Sequence, residues 1–229
     1  MHDPATEHPA SRDDGAVGNA LYKKDFWSQE NLKYHRPHYR MEKAARVINR
    51  LARGRELTLL DVGCGPATLK SLLDPNLDYY GIDIAIHDRT PNLIEADFLE
   101  TPIRFGDRHF DIVLAQGVFE YVGDFQAQKF AEIADILTAD GTFVVSYVNF
   151  DHRKTDIYWP YSNVQPFSEF RRSLVQHFRI RRYFATSHNW NHWEPSRRFI
   201  RSANMHLNVR VPFISPVLAV EYFLICGPR

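Results

Sequence analysis

Leu59-Leu60-Asp61-Val62-Gly63-Cys64-Gly65-Pro66 is an apolar run that carries an acid and then a glycine turn before a helical pattern. Gly63 and Gly65 have no Cβ, so a ligand can approach the backbone closely there. The neighbouring residues say which ligand. A pyrophosphate needs free N–H groups and positive potential where the helix opens. Asp61 places negative charge beside the turn, and Pro66 removes one donor. Thr68 also stands where a dinucleotide-binding turn needs its third glycine. Together these residues favour a ligand that presents a cationic amine. Asp83 follows about twenty residues beyond the glycines, the spacing at which an acid reaches ribose hydroxyls.

The elements that must position these residues follow from the hydrophobic pattern. Ala44, Ala45, Val47, Ile48 and Leu51 recur at helical spacing, and Gly54 stops that helix. The alternation then predicts strand 57–62, helix 66–73, strand 78–83, a loop, strand 92–97, strand 110–115, helix 124–137 and strand 142–148. A helix over 167–178, capped by Ser168, precedes strands 179–186 and 219–226. Strands alternating with helices make an α/β chain with a mostly parallel sheet and helices on both faces. Ala85 to Asn92 is too short for a crossover helix, so a loop should join the second and third strands.

These segments, taken in order, resemble the class I S-adenosylmethionine-dependent methyltransferases. Leu-Asp-Val-Gly-Cys-Gly is similar to that family's first motif, and Tyr79-Tyr80-Gly81-Ile82-Asp83-Ile84 to its second strand. Leu93 to Phe98, Phe110 to Val122 and Asp140 to Ser146 resemble the third, fourth and fifth strands with their turns. The resemblance covers residues 57–149. It implies a Rossmann-like sheet with an antiparallel last strand, and S-adenosyl-L-methionine as cofactor. It also implies roles for individual residues. Asp61, Gly63, Gly65 and Ile84 would contact the cofactor, Asp83 its ribose hydroxyls, and Asp97 and Phe98 the adenine. Gln116 would touch the methionine part through its backbone, and Arg40, as in some quinone-type relatives, would pair with its carboxylate. Tyr121 departs from the pattern, because relatives often carry histidine there.

Methyl transfer to a hydroxyl is helped by a base, and histidine suits that task near neutral pH. His188 is the first candidate, at the carboxyl end of the predicted sixth strand, followed by His192 and His152. Ser187 to Pro195, with Tyr158, Trp159 and Tyr161, reads as an aromatic rim around an acceptor. The chain lacks the Asn/Asp-Pro-Pro-Tyr/Phe motif that holds an amide or amino nitrogen, and lacks the paired glutamates of arginine methylation. A small-molecule or glycan-like acceptor, methylated at oxygen, is therefore expected. The rivals are an RNA methyltransferase and a non-catalytic binding partner with the same fold.

With 229 residues and 44 % apolar content, the chain can bury one full core. The expected organisation is a disordered tail over 1–20 and a single methyltransferase domain over 21–229. Within it, 21–56 form a helical lid, 57–149 the cofactor core, and 150–229 the acceptor side with the last two strands. The net charge is zero, but residues 151–229 carry 12 Lys+Arg against 5 Asp+Glu, while residues 1–150 carry 16 against 23. That basic last third would suit an anionic acceptor; an arginine-rich solvated face accounts for it more simply. With no appended binding domain, a nucleic-acid partner is not expected. Cys64 and Cys226 read as reduced packing residues in a cytoplasmic protein, and no metal-ligand spacing is present. Val211 to Gly227 is apolar, but Pro212, Pro216 and Glu221 interrupt it, so no membrane span is expected. The oligomeric state is left open by the sequence.

Overall fold

The computed structural model describes residues 34–151, 165–188 and 219–229. Seven strands form one sheet: β1 (Leu57–Val62), β2 (Leu77–Asp83), β3 (Leu93–Glu95), β4 (Phe110–Ala115), β5 (Leu137–Val148), β6 (Phe178–His188) and β7 (Ala219–Pro228). Their order is β3-β2-β1-β4-β5-β7-β6. The first five run parallel, and β7 is antiparallel to both β5 and β6. Strand order reverses between β1 and β4, so the crevice beyond their carboxyl ends is where such a sheet takes its ligand.

Alternation along the strands divides the core into two layers. Leu59, Ile112, Leu114, Val144 and Phe223 pack with Ala44, Ala45 and Ile48 of helix α1 (Tyr39–Ala52). Leu60, Val62, Val113, Phe143 and Leu224 face helices α2 (Gln126–Ile136) and α3 (Phe167–His177). Aromatic rings dominate that second layer, with Phe119 stacked on Phe130 at 4.6 Å and Tyr147 on Phe170 at 3.9 Å. Helices therefore cover both faces, as the sequence pattern requires. Among the described residues no helix is long and apolar enough to cross a membrane.

Several boundaries differ from the sequence reading, each for a local reason. The helix expected over 66–73 is a five-residue 3-10 helix, Thr68–Leu72. Gly65 and Ala67 both sit at positive φ (53°), which unwinds its start, and Pro75 keeps the preceding chain out of the helical region. α1 ends at Ala52, two residues before Gly54, with Arg53 at φ 52° and its N–H on the Asn49 carbonyl at 2.9 Å. β3 is only three residues long because the Asp97 carboxylate takes the Leu99 N–H at 2.9 Å and turns the chain away. β5 begins at Leu137 rather than 142, across a register shift against β4. Ser168 does not cap α3. Its N–H and hydroxyl both donate to Asp151 Oδ1, at 3.2 and 3.0 Å, so the capping carboxylate comes from the loop after β5. The 85–92 loop has no helix, as its length demands. The tail over 1–20 lies outside the described residues.

Candidate functional site

The turn beyond β1 consumes its own donors. Gly63 N–H binds the Ile82 carbonyl at 2.8 Å and Cys64 N–H the same oxygen at 3.3 Å. Gly65 N–H donates to Asp83 Oδ2 at 2.8 Å, and Ala67 N–H to the Cys64 carbonyl at 3.0 Å. Pro66 has none to give. From 63 to 67, every backbone donor is already spent on the protein. Gly63 is obligatory twice over: its φ is 74°, and a Cβ there would lie 2.5 Å from Val118 Cγ2.

Two acids stand at this turn. Asp83 is 7 % exposed; besides Gly65 N–H, its Oδ1 accepts from Ala85 N–H at 3.0 Å. It thereby ties the β1 turn to the β2 turn. Asp61 is 5 % exposed and accepts the Tyr79 hydroxyl at 2.8 Å. Burial, reinforced by the charge of Asp83 and only partly relieved by Tyr79, pushes its pKa up to about 7. A buried carboxyl with so little compensation is suited to a cationic partner, which would restore its ionised form.

Both acids line a cavity of about 350 Å³, within the range of small-molecule sites. Gly63, Gly65, Ile84 and Phe98 line it on the side of β1 and β2, and Arg40, Gln116, Glu120 and Glu221 on the side of β4 and β7. Of the residues expected to bind cofactor, eight of nine thus meet at one cavity: Asp61, Gly63, Gly65, Asp83, Ile84, Phe98, Gln116 and Arg40. Asp97 lies outside the lining, its carboxylate holding the 97–101 turn behind Phe98.

On the β4 side Arg40, expected to meet the cofactor carboxylate, already has a carboxylate partner within the protein. Arg40 Nη2 pairs with Glu221 Oε1, and Thr186 Oγ1 donates to Glu221 Oε2 at 3.0 Å. Burial opposes the Glu221 charge, but Arg40 outweighs it and holds the carboxyl below its usual range. Gln116 Nε2 donates to the Arg40 carbonyl at 3.1 Å, and Gly117 N–H to Ser146 Oγ at 2.9 Å, fixing the strand end against α1 and β5. Glu120 sits on the 3-10 turn Phe119–Tyr121, anchored by the buried Phe119 ring. Its Oε1 accepts from Val148 N–H at 3.0 Å, while Oε2 is buried without a hydrogen-bond partner. Burial, then the charge of Glu221, pushes its pKa up to about 7. Glu221 had a signal in the sequence, since a lone acid in an apolar strand has to be paired. Glu120 had none beyond its place after the fourth strand.

The segment before α1 contributes Tyr34 and His38 to the cavity, and the first residue of α1, Tyr39, joins them. His38 caps α1, its Nδ1 accepting from Arg40 N–H at 3.2 Å. His188 ends β6, opposite Ala219. His152 and His192, with Tyr158, Trp159 and Tyr161, lie outside the described residues.

The described arginines of the basic last third gather elsewhere. Arg171, Arg179, Arg181, Arg182 and Arg229 line a surface groove along β6. Through β7, Ile180 is level with Phe143 at the start of the β4-paired run of β5, whereas Glu221 is level with Val148 at its carboxyl end. The arginine groove therefore lies toward the end of the sheet opposite the cavity.

A fold of this order, with an acid-flanked turn at the β1/β4 switch point, is that of a class I methyltransferase. The comparisons agree: the model of the "Methyltransferase domain" family matches residues 36–204, and the chain belongs to that family. It is an S-adenosylmethionine-dependent methyltransferase. Among solved structures it is similar to a TehB-like SAM-dependent methyltransferase from Corynebacterium glutamicum, at 16 % identity over 94 % of this chain and 100 % of that one, with a TM-score of 0.57. It is also similar to the Haloferax volcanii complex between the Trm112 methyltransferase activator and a putative methyltransferase (17 %, 93 % and 97 %, TM-score 0.59). A third is the N-methyltransferase NodS from Bradyrhizobium japonicum bound to S-adenosyl-L-homocysteine (11 %, 94 % and 98 %, TM-score 0.53). These likenesses speak to the fold. No curated protein sequence matches the chain.

Proposed function

We propose that this methyltransferase acts on a small-molecule or glycan-like metabolite and transfers the methyl group to oxygen. The observation that carries the cofactor end of this reading is the donor-depleted, acid-flanked turn: it has no N–H from 63 to 67 for a phosphate, and it offers buried carboxylates to an ammonium and a ribose. In this assignment Asp61 receives the ammonium and Asp83, with Ile84, the ribose. Phe98 covers the adenine, on a turn that Asp97 holds. Gln116 and Arg40 bracket the methionine part. When bound, S-adenosyl-L-methionine supplies an electrophilic methyl on a sulfonium; the chain's task is to align the nucleophile with it and keep water out.

The acceptor side supports a compact, uncharged group. Tyr121, Val148, Phe150 and Val220 give it apolar and aromatic walls, and its charged residues include two acids. Phosphates would meet Glu120 and Glu221 there; Arg40 is already paired with Glu221, and Arg171, Arg179, Arg181, Arg182 and Arg229 lie along β6. That separation argues against RNA as the acceptor.

The test is to identify small molecules released from the purified protein by mass spectrometry, then to follow labelled methyl from S-adenosyl-L-methionine into a deproteinised metabolite extract. Label in an alkali-stable small-molecule ether supports the reading. Label confined to RNA or to protein would replace it.

A further inference from the structure

We propose that Glu120 is the general base of this enzyme, taking the proton from the acceptor hydroxyl as the methyl group is transferred. The inference rests on the methyltransferase reading and names the residue that would perform its proton step.

The argument begins with an incomplete hydrogen-bond inventory. Glu120 is 5 % exposed and lines the cavity, yet only one of its oxygens has a partner: Oε1 takes Val148 N–H, and Oε2 takes nothing. A buried carboxylate oxygen left bare costs free energy comparable to a lost hydrogen bond, unless a ligand supplies the donor. An acceptor O–H is such a donor once the enclosed carboxyl turns its Oε2 toward the cavity that Glu120 lines. The turn that carries Glu120 is held rigidly by Phe119, fully buried against Phe130 and Phe143, so the carboxylate is placed by packing rather than by a loop.

The other described carboxylates and the described histidine of the cavity have other ties. Glu221 is paired with Arg40 and takes the Thr186 hydroxyl. Asp61 takes Tyr79 OH and stands with Asp83 at the cofactor turn. His38 uses Nδ1 as acceptor for Arg40 N–H, so its neutral ring carries the proton on Nε2 and offers no lone pair there. Burial and the neighbouring Arg40 charge further lower its pKa. Glu120 is thus the described cavity carboxylate with an unclaimed lone pair away from the cofactor turn.

Its surroundings tune it for the task. Burial disfavours the charge, Glu221 on β7 repels it, and Arg40 on α1 partly compensates, leaving the carboxyl half-ionised near neutral pH. Tyr147 on β5 lies within electrostatic reach and feels the Glu120 charge. A base titrating near the working pH is the most effective kind. The step balances: the acceptor O–H bond breaks and its proton moves to Glu120 Oε2. The acceptor oxygen forms a bond to the methyl carbon as the sulfur–methyl bond breaks, giving S-adenosylhomocysteine. Glu120 then returns the proton to solvent.

The test uses the full chain, methyl-labelled S-adenosyl-L-methionine and the deproteinised metabolite extract. Glu120→Gln should bind S-adenosylhomocysteine within about twofold of wild type by calorimetry, yet transfer methyl about 10²–10⁴-fold more slowly. The wild-type rate should climb between about pH 6 and about pH 8 to a plateau, Glu120→Asp should restore part of it with the climb displaced, and the residual Gln rate should be flat. Wild-type rates from Glu120→Gln, or an unchanged pH profile, would overturn the assignment. So would loss of the climb in His188→Ala while Glu120→Gln keeps it. Absence of S-adenosylhomocysteine binding to wild type would instead remove the underlying reading, and the base with it.

Discussion

Gly65 N–H donates to the Asp83 carboxylate at 2.8 Å, across the gap between the turns that follow β1 and β2. One acid therefore shapes the cofactor turn, removes its central donor from any competing phosphate, and faces the same cavity. Asp83→Ala should lose all three. Calorimetry with S-adenosylhomocysteine should show weaker binding by about 1–3 kcal/mol, and urea unfolding should show a loss of similar size. Undiminished affinity would put the ribose role in error.

Asp61 makes the turn sensitive to pH. Its folded pKa of about 7 lies above the ordinary carboxylate value, so the folded protein binds an extra proton between roughly pH 4 and pH 7. This group's contribution to stability is complete below that window and is lost as pH rises through it. Asp61→Asn, with no charge to bury, should gain stability relative to wild type when unfolding is compared at pH 5 and at pH 8. Cofactor binding has the opposite sign. A ligand ammonium favours the ionised carboxyl, so affinity should fall below about pH 7, with proton uptake by Asp61 as the cause. Asp61→Asn should flatten that dependence.

Arg40, about 30 % exposed, and the buried Glu221 form a pair whose value shows when one side is removed. Arg40→Met leaves the Glu221 charge uncompensated and should cost about 3–5 kcal/mol in equilibrium unfolding. Adding Glu221→Gln to that variant should recover much of the loss. Strict additivity of the two substitutions would deny the coupling.

Gly81 lies where β2 passes the cofactor turn. A Cβ there would sit 2.6 Å from Cys64 Sγ and 2.8 Å from Leu93 Cδ2. Gly81→Ala should overpack this layer and destabilise by about 1–3 kcal/mol. Gly106→Ala, with nothing within 4 Å and only an unfavourable φ of 60°, should cost about 1–2 kcal/mol and leave cofactor affinity unchanged.

The sheet was legible because its strands are periodic apolar runs, and 57–62 and 110–115 match their observed limits residue for residue. The cofactor side was legible because Asp61, Gly63, Gly65 and Asp83 are local in sequence and answer to one turn. What escaped was set by distant partners. Ser168 looks like its own cap until Asp151 arrives from another loop. Residues 66–73 look helical until Ala67 takes a left-handed conformation that no propensity foretells. The Arg40–Glu221 pair joins residues 181 positions apart, and the bare oxygen of Glu120 exists only because β5 and β7 close around it. Such features belong to tertiary packing, which a single sequence does not display.

The most direct test of the account is a calorimetric titration of the purified protein with S-adenosylhomocysteine and, in parallel, with NADH. The account predicts saturable binding of S-adenosylhomocysteine, weakened by Asp61→Asn and by Asp83→Ala, and no heat from NADH. Binding of NADH that the same substitutions alter, with none of S-adenosylhomocysteine, would contradict it.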